Sequence, residues 1–381
     1  MRHNTPMIRR HVTKATLLLN IIVGLSVSGC DSGNSTAPTP PHLLIEGRVE
    51  RGLMIDVRLI LGKDTTNSDS LTLSFGPASA ATVQDNGRVK LNTAGPLTIS
   101  AVSPSGRRTS IQVEVAIPPR IVFDFAPGGA RQVYQAALDG ADIAPITTHV
   151  SDNRQPTAVG TTVVFTSFRN GRAQLYQIPL AGGTEQRITN TAGSTTYPAL
   201  NNDKSRIAYL DNASGFPRVR TSAADGTNVE TVTTNGAVST IIEASPGWDP
   251  ASLRLVFTST GSGRAKMMFA APGGVATPVL PASSFIEVEP AWSADGKFLA
   301  FVTDRAGPAE IYMLELATGT LTRLTTLGTV GQPSWLKDGR IVFVTQTGPT
   351  KRLHWIDPTK PNEVFDIPVG AGNPERPQEV R

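Results

Sequence analysis

The chain has 381 residues, enough for two domains that each bury a core, and only 17% of them are charged, while glycine (35) and proline (29) are abundant. That balance suits many short strands joined by turns better than long helices. The net charge of +4 invites a nucleic-acid reading, but Arg2, Arg9, Arg10 and Lys14 fall in residues 1–29, which hold no acid; the 35 Lys and Arg less these four equal the 31 Asp and Glu. A neutral body has no general attraction for phosphate backbones or anionic lipid, so no nucleic-acid partner is expected.

The leader, residues 1–29, runs from its basic start into an apolar stretch, residues 17–29 (LLLNIIVGLSVSG), too short to span a bilayer. It ends in Val27-Ser28-Gly29-Cys30, which places the only cysteine of the chain directly after small residues. This ending resembles the lipobox of bacterial lipoproteins. The resemblance implies cleavage before Cys30, lipidation of Cys30, and an extracytoplasmic protein anchored to a bacterial membrane, on the periplasmic side or at the cell surface. Two or more acyl chains make such an anchor stable. With no second cysteine, the exported domains hold together without disulfides. Residues 30–41, Cys30 followed by DSGNSTAPTPP, are small, polar and proline-rich, a flexible tether.

Residues 42–118 alternate apolar and polar positions. GLMIDVRLIL (52–61), SLTLSF (70–75), PLTISAV (96–102) and SIQVEVAI (110–117) read as strands, separated by turns such as Asp85-Asn86-Gly87 and Pro104-Ser105-Gly106. This predicts a small β-sandwich. The stretch 81–115 places a Val, an Asn-Gly turn, an Ala-Gly and a Thr-Ile-Ser-Ala strand in the order found in bacterial group-2 immunoglobulin-like domains, which it resembles. Its expected role is a spacer.

From residue 119 to 381 one unit repeats. The apolar strand LAFVTD (299–304) has counterparts at IVFDFA (121–126), VVFTSF (163–168), IAYLDN (207–212), LVFTST (255–260) and IVFVTQ (341–346), at offsets of 42 to 48 residues. Each is followed by a glycine turn, at Gly129, Gly171, Gly215, Gly263, Gly307 and Gly348, then by a second strand, a second turn such as LDG, AGG or ATG, and a last strand that in several copies ends in Ile-Thr or Leu-Thr. Four strands per period predict propeller blades. The apolar strand is expected against the axis. Pro156, Pro198, Pro246, Pro290 and Pro333 are expected just ahead of the strand opening each later blade. Pro377, 44 residues beyond Pro333, predicts that the C-terminal segment completes the first blade. The fold class expected is therefore all-β: a six-bladed β-propeller closed by its C-terminal strand, preceded by an Ig-like β-sandwich.

The copies EPAWSADGKFLAFVTDRAG (289–307) and QPSWLKDGRIVFVTQTG (332–348) resemble the repeat of TolB-type propellers. That resemblance implies an envelope protein that binds another protein. Trp248, Trp292 and Trp335 read as packing residues, and Asp295 and Asp338 as turn residues. His42, His149 and His354 are scattered, which suits neither a zinc site nor a catalytic triad, and no G-x-S-x-G elbow or phosphate loop appears. Exopeptidases with related propellers carry a hydrolase domain that has no counterpart after the last repeat. No cofactor and no catalysis are expected. Basic residues recur at the turns after the apolar strands: Arg131, Arg169, Arg172, Arg218, Arg264, Arg305, Lys351 and Arg352. They form a candidate rim for an acidic peptide or glycan on an otherwise neutral, monomeric body. The expected function is a lipid-anchored, non-catalytic protein-binding module. The alternatives are a carbohydrate-binding or scaffold protein, and an enzyme resembling polysaccharide lyases.

Overall fold

The computed structural model describes residues 41–61, 64–67, 70–232 and 243–381. The leader and the lipobox cysteine, Cys30, lie outside the described residues. The chain divides between Ile117 and Pro118 into two compact units. Both are built from antiparallel β-sheets, and the architecture is all-β.

The first unit has two sheets. One orders His42–Glu46, Met54–Leu61, Val89–Leu91 and Ala81–Val83, with Asp64–Asn67 also on Met54–Leu61; the other orders Thr72–Gly76, Gly95–Val102 and Arg108–Val115. Alternation decides which side is buried. Ile55, Val57 and Leu59 from the first sheet meet Leu97, Ile99 and Ala101 from the second in one core. The short strands at 42–46, 81–83 and 89–91 escape the sequence reading because runs this brief carry too few alternations to stand out.

The second unit contains six four-stranded sheets. In the second, for example, Asn153–Val159, Thr162–Ser167, Gln174–Pro179 and Gln186–Arg187 lie side by side in chain order. The third to sixth follow the same order, opening with Thr195–Leu200, Glu243–Trp248, Glu287–Trp292 and Val330–Trp335. The first differs: Arg120–Phe125 pairs on one side with Gln132–Ala137 and on the other with Glu375–Glu379, so the chain's end supplies its fourth strand.

Two expectations need correction. The apolar strand, expected innermost, is second in each sheet behind the opening strand, and the prolines lie within that opening strand rather than ahead of it. Its continuous apolar run follows from this sandwiched place: neighbouring strands flank it and neighbouring sheets cover both its faces. Phe123, Phe165, Tyr209, Phe257, Phe301 and Phe343 occupy one position of this strand in the six sheets, and all are fully buried. Sheet packs on sheet through shared apolar clusters, such as Val122 and Val133 with Val163 and Phe165, or Ala300 and Ile311 with Ile341 and Phe343. Trp248, Trp292 and Trp335 are buried in this packing.

The terminal strand is also tied to the sixth sheet. Lys337 N–H donates to both Glu379 carboxylate oxygens at 3.0 Å, and Arg376 N–H donates to Gln332 Oε1 at 2.6 Å. Gly140, at φ +80°, would bring an added Cβ to 2.5 Å from Pro368, so the LDG turn of the first sheet needs its glycine for that close approach. Against the strand's start sits a charge network of half-buried groups around the buried Asp124. Arg131 lies 2.6 Å from Asp124 and 3.5 Å from Glu375, which in turn pairs with Lys351 at 2.6 Å. Burial pushes the Asp124 carboxyl up to about 6, against the opposing pull of Arg131.

Two outcomes follow. Deleting residues 373–381 removes a paired strand and its links to the sixth sheet, so calorimetry of the truncated protein should show Tm lower by about 10 °C or no cooperative unfolding; an unchanged Tm contradicts this. Because Asp124 holds its proton to higher pH folded than unfolded, it makes stability fall as pH rises from about 4 to about 6. Asp124→Asn removes that slope. The Tm difference between wild type and Asp124→Asn should therefore drift across this window and flatten above it, whereas a constant difference rules the titration out.

Candidate functional site

Proline has no N–H for a ladder and is tolerated in strands only at edges or bulges. In each of the six sheets it stands on the edge strand, at a register shift: between Arg154 and Thr157, Thr196 and Ala199, Ala244 and Gly247, Val288 and Ala291, Gly331 and Ser334, and Glu375 and Gln378. The residue before each proline is bent into the left-handed region. These are Gln155 (φ 55°), Tyr197 (54°), Ser245 (50°), Glu289 (53°), Gln332 (58°) and Arg376 (52°). All six line one cavity of about 110 Å³, together with Pro156, Pro198, Pro246, Pro290 and Pro333.

Neighbouring sheets are linked at these positions. Gln332 N–H donates to Glu289 Oε2 at 2.6 Å, Arg376 N–H to Gln332 Oε1 at 2.6 Å, and Tyr197 N–H to Gln155 Oε1 at 3.0 Å. Gln155 N–H donates to Asp124 Oδ2 at 2.8 Å, so a carboxylate of the first sheet stands in where the Arg376 side chain cannot accept. A side chain from one sheet thus satisfies the bulge amide of the next at four of the six junctions. Arg376 reaches across the cavity: Nη2 lies 3.0 Å from Glu289 Oε1 and 3.4 Å from the Tyr197 hydroxyl, with the guanidinium 4.7 Å from the Tyr197 ring centroid. Burial works against the charge of Arg376, but Glu289, with Tyr197, Asp124 and Glu375, outweighs it and raises the pKa. The site can hold a small polar group by hydrogen bonding; among the described residues no cluster of three or more His, Cys, Asp or Glu is placed to bind a metal.

The expected rim lies elsewhere, since none of its eight cations lines this cavity. Arg131 and Lys351 are held in the Asp124–Glu375 network. Arg169 pairs with Glu185 and covers the Tyr176 ring at 4.2 Å. Arg305 lies 3.5 Å from Glu287 and Arg264 3.4 Å from Asp304. Arg172 donates to the Ala192 carbonyl, Arg218 opens a strand opposite Asp211, and Arg352 is exposed opposite Thr345. Most of these charges are thus matched by acids. The sequence reading noticed the ring's prolines and missed Gln155, Tyr197, Ser245, Glu289, Gln332 and Arg376 as a set, although an Xaa-Pro pair recurring at the blade period marks them.

Residues 239–363 match the TolB beta propeller domain. The TolB homolog of Chlorobium luteolum is 28% identical over 160 residues, which cover 42% of this chain and 35% of that protein; the chain thus spans about a third of this curated relative. The crystal structure of TolB from Acinetobacter baumannii superposes with a TM-score of 0.59 at 16% identity, covering 82% of this chain and 83% of that one. The exclusion of catalysis is overturned. A Bacillus subtilis protein described as an uncharacterized peptidase, YuxL, is 39% identical over 59 residues, 15% of this chain and 9% of that protein. A puromycin-hydrolyzing peptidase of Mycobacterium tuberculosis shares the fold, with a TM-score of 0.50 at 16% identity over 79% of this chain and 53% of that one. Repeats of this kind therefore occur in peptidases as well, and they do not by themselves set a binding protein apart from an enzyme. What the chain carries is a TolB-like β-propeller domain.

Proposed function

We propose that this chain is a lipid-anchored protein of the bacterial envelope whose six sheets close as a TolB-like propeller and whose ring cavity receives a segment of another protein. The ring carries the reading: six sheets each place a strained, polar residue at one depth around one cavity, where apolar packing alone requires none. Likeness to proteins named TolB supports the envelope setting, and the lipobox ending at Cys30 supports the anchor. The pairing of Glu375–Glu379 with the first sheet supports closure. Residues 42–118 act as an Ig-like spacer between the tether and the propeller of residues 119–381, and the protein is a monomer. Arg172, Arg264 and Arg352, exposed on three of the sheets, offer secondary contacts to an acidic partner.

Tyr197 occupies the ring position equivalent to Ser245, so Ser245→Tyr fits the fold and fills the cavity. Wild type and this variant, checked for equal Tm, are used to capture partners from a cell-envelope extract. A partner retained at least tenfold less by Ser245→Tyr supports the reading. Equal retention moves the contact off the ring, as a scaffold or carbohydrate-binding role would require.

A further inference from the structure

The ring's wiring leaves a surplus of donors. Each side-chain acceptor oxygen of Gln155, Glu289 and Gln332 already receives a hydrogen bond or an ion-pair contact within the protein. Turning Oε1 of Gln155 and of Gln332 to a neighbouring amide leaves their Nε2 groups without a protein partner among the described residues. Arg376 uses Nη2 for Glu289 and Tyr197, and its Nε and Nη1 have no acceptor among the described residues.

Two junctions of the ring are also incomplete. Ser245 should receive its acceptor from Tyr197, whose hydroxyl lies by Arg376 instead. Glu289 should receive its acceptor from Ser245, whose side chain is too short to span to the next sheet as Gln155 and Gln332 do. Among the described residues no side chain accepts from the N–H of Ser245 or of Glu289. Of the two side-chain carboxylates that line the cavity, Glu289 is offset by Arg376 at 3.0 Å, and Glu379 accepts the Lys337 N–H with both its oxygens. The cavity is therefore rich in donors and poor in free acceptors, and about 110 Å³ admits a single side chain or chain terminus.

We propose that the ring is a carboxylate-binding site: an acidic side chain or a C-terminal carboxylate of the partner accepts hydrogen bonds from the Ser245 and Glu289 amides and from Arg376, completing the two open junctions. This rests on the protein-binding reading of the same cavity. A carboxylate suits the donor set better than a neutral amide, since charge-assisted hydrogen bonds are roughly twice as strong and an amide adds two donors where donors are already in excess.

Trp248 and Trp292 line the cavity and report on its occupancy by fluorescence. The full protein is titrated with three short peptides: one blocked at both ends with a single Glu, the same with Gln, and one with a free C-terminus and no acid. Ser245→Gln is the matching variant, because its amide oxygen supplies the acceptor missing at the Glu289 amide, as Gln155 and Gln332 do elsewhere. Saturable binding of the Glu or the free-terminus peptide, at least tenfold tighter than the Gln peptide and at least tenfold weaker in Ser245→Gln, is expected; whichever acid binds names the source. Equal binding of the Glu and Gln peptides, no binding by either acid, or unchanged binding in Ser245→Gln overturns the proposal. If Ser245→Tyr still abolishes capture from envelope extract in that event, the cavity binds a protein by other chemistry; if capture is also unaffected, the protein-binding reading falls with it.

Discussion

A residue that precedes proline is pushed by sterics towards extended backbone, and one with a side chain resists a positive φ at a cost of about 1–2 kcal/mol. Six residues here violate both preferences at the same place in six sheets. Such conformations persist where the surroundings over-determine them. Proline removes the donor that the bulge would leave unpaired, and at four junctions a side chain from the neighbouring sheet takes the amide of the strained residue. One hydrogen bond therefore fixes the bent residue and couples adjacent sheets. The rest of the unit is arranged so that these edges meet.

The apolar packing acts one strand further out. A single sheet cannot cover both its faces, so each fully buried ring from Phe123 to Phe343 depends on the adjacent sheet to exclude water. Truncating one of them would cost about 3–5 kcal/mol. Polar clasps tie the outer part of a sheet inward. Thr147, Thr189 and Thr325 each accept the N–H of Val133, Leu175 or Ile311 and donate to Gln132, Gln174 or Glu310. That explains the threonine that closes several repeats in the sequence: it is buried and needs both partners, which an apolar residue could not supply.

Local and periodic features were legible in the sequence, and long-range ones were not. The apolar strands from IVFDFA to IVFVTQ, the glycine turns and the matching spacing of Pro377 are visible because each copy repeats the same local demand. The placement of the prolines was misread, since proline inside a strand is disfavoured unless a bulge accommodates it, and a bulge shows only in the pairing. The ring escaped notice because its members share a conformation but, beyond being polar, no common chemistry: Gln, Tyr, Ser, Glu, Gln and Arg differ in size, charge and hydrogen-bonding capacity. The basic rim was legible as charge, but its neutralisation was not, because Arg131 and Lys351 meet Glu375 only once the chain's end returns to the first sheet.

Rim and cavity put charge to opposite uses. At an exposed turn a matched pair such as Arg264 with Asp304 contributes about 0–1 kcal/mol and is screened within about 8–10 Å by physiological salt, so it steers weakly and selects little. In the cavity, donors that any occupant desolvates must be answered, because one left unpaired costs about 1–3 kcal/mol. In the proposed carboxylate site, selection works by rejecting groups that cannot accept, which discriminates more sharply than added attraction. The proline and the bulge recur in all six sheets, whereas the residue before the proline differs in chemistry, and at Gln155, Glu289 and Gln332 its side chain also couples one sheet to the next. Ser245 makes no such link among the described residues, so changing it alters the cavity's lining without disturbing the contacts that hold the sheets together.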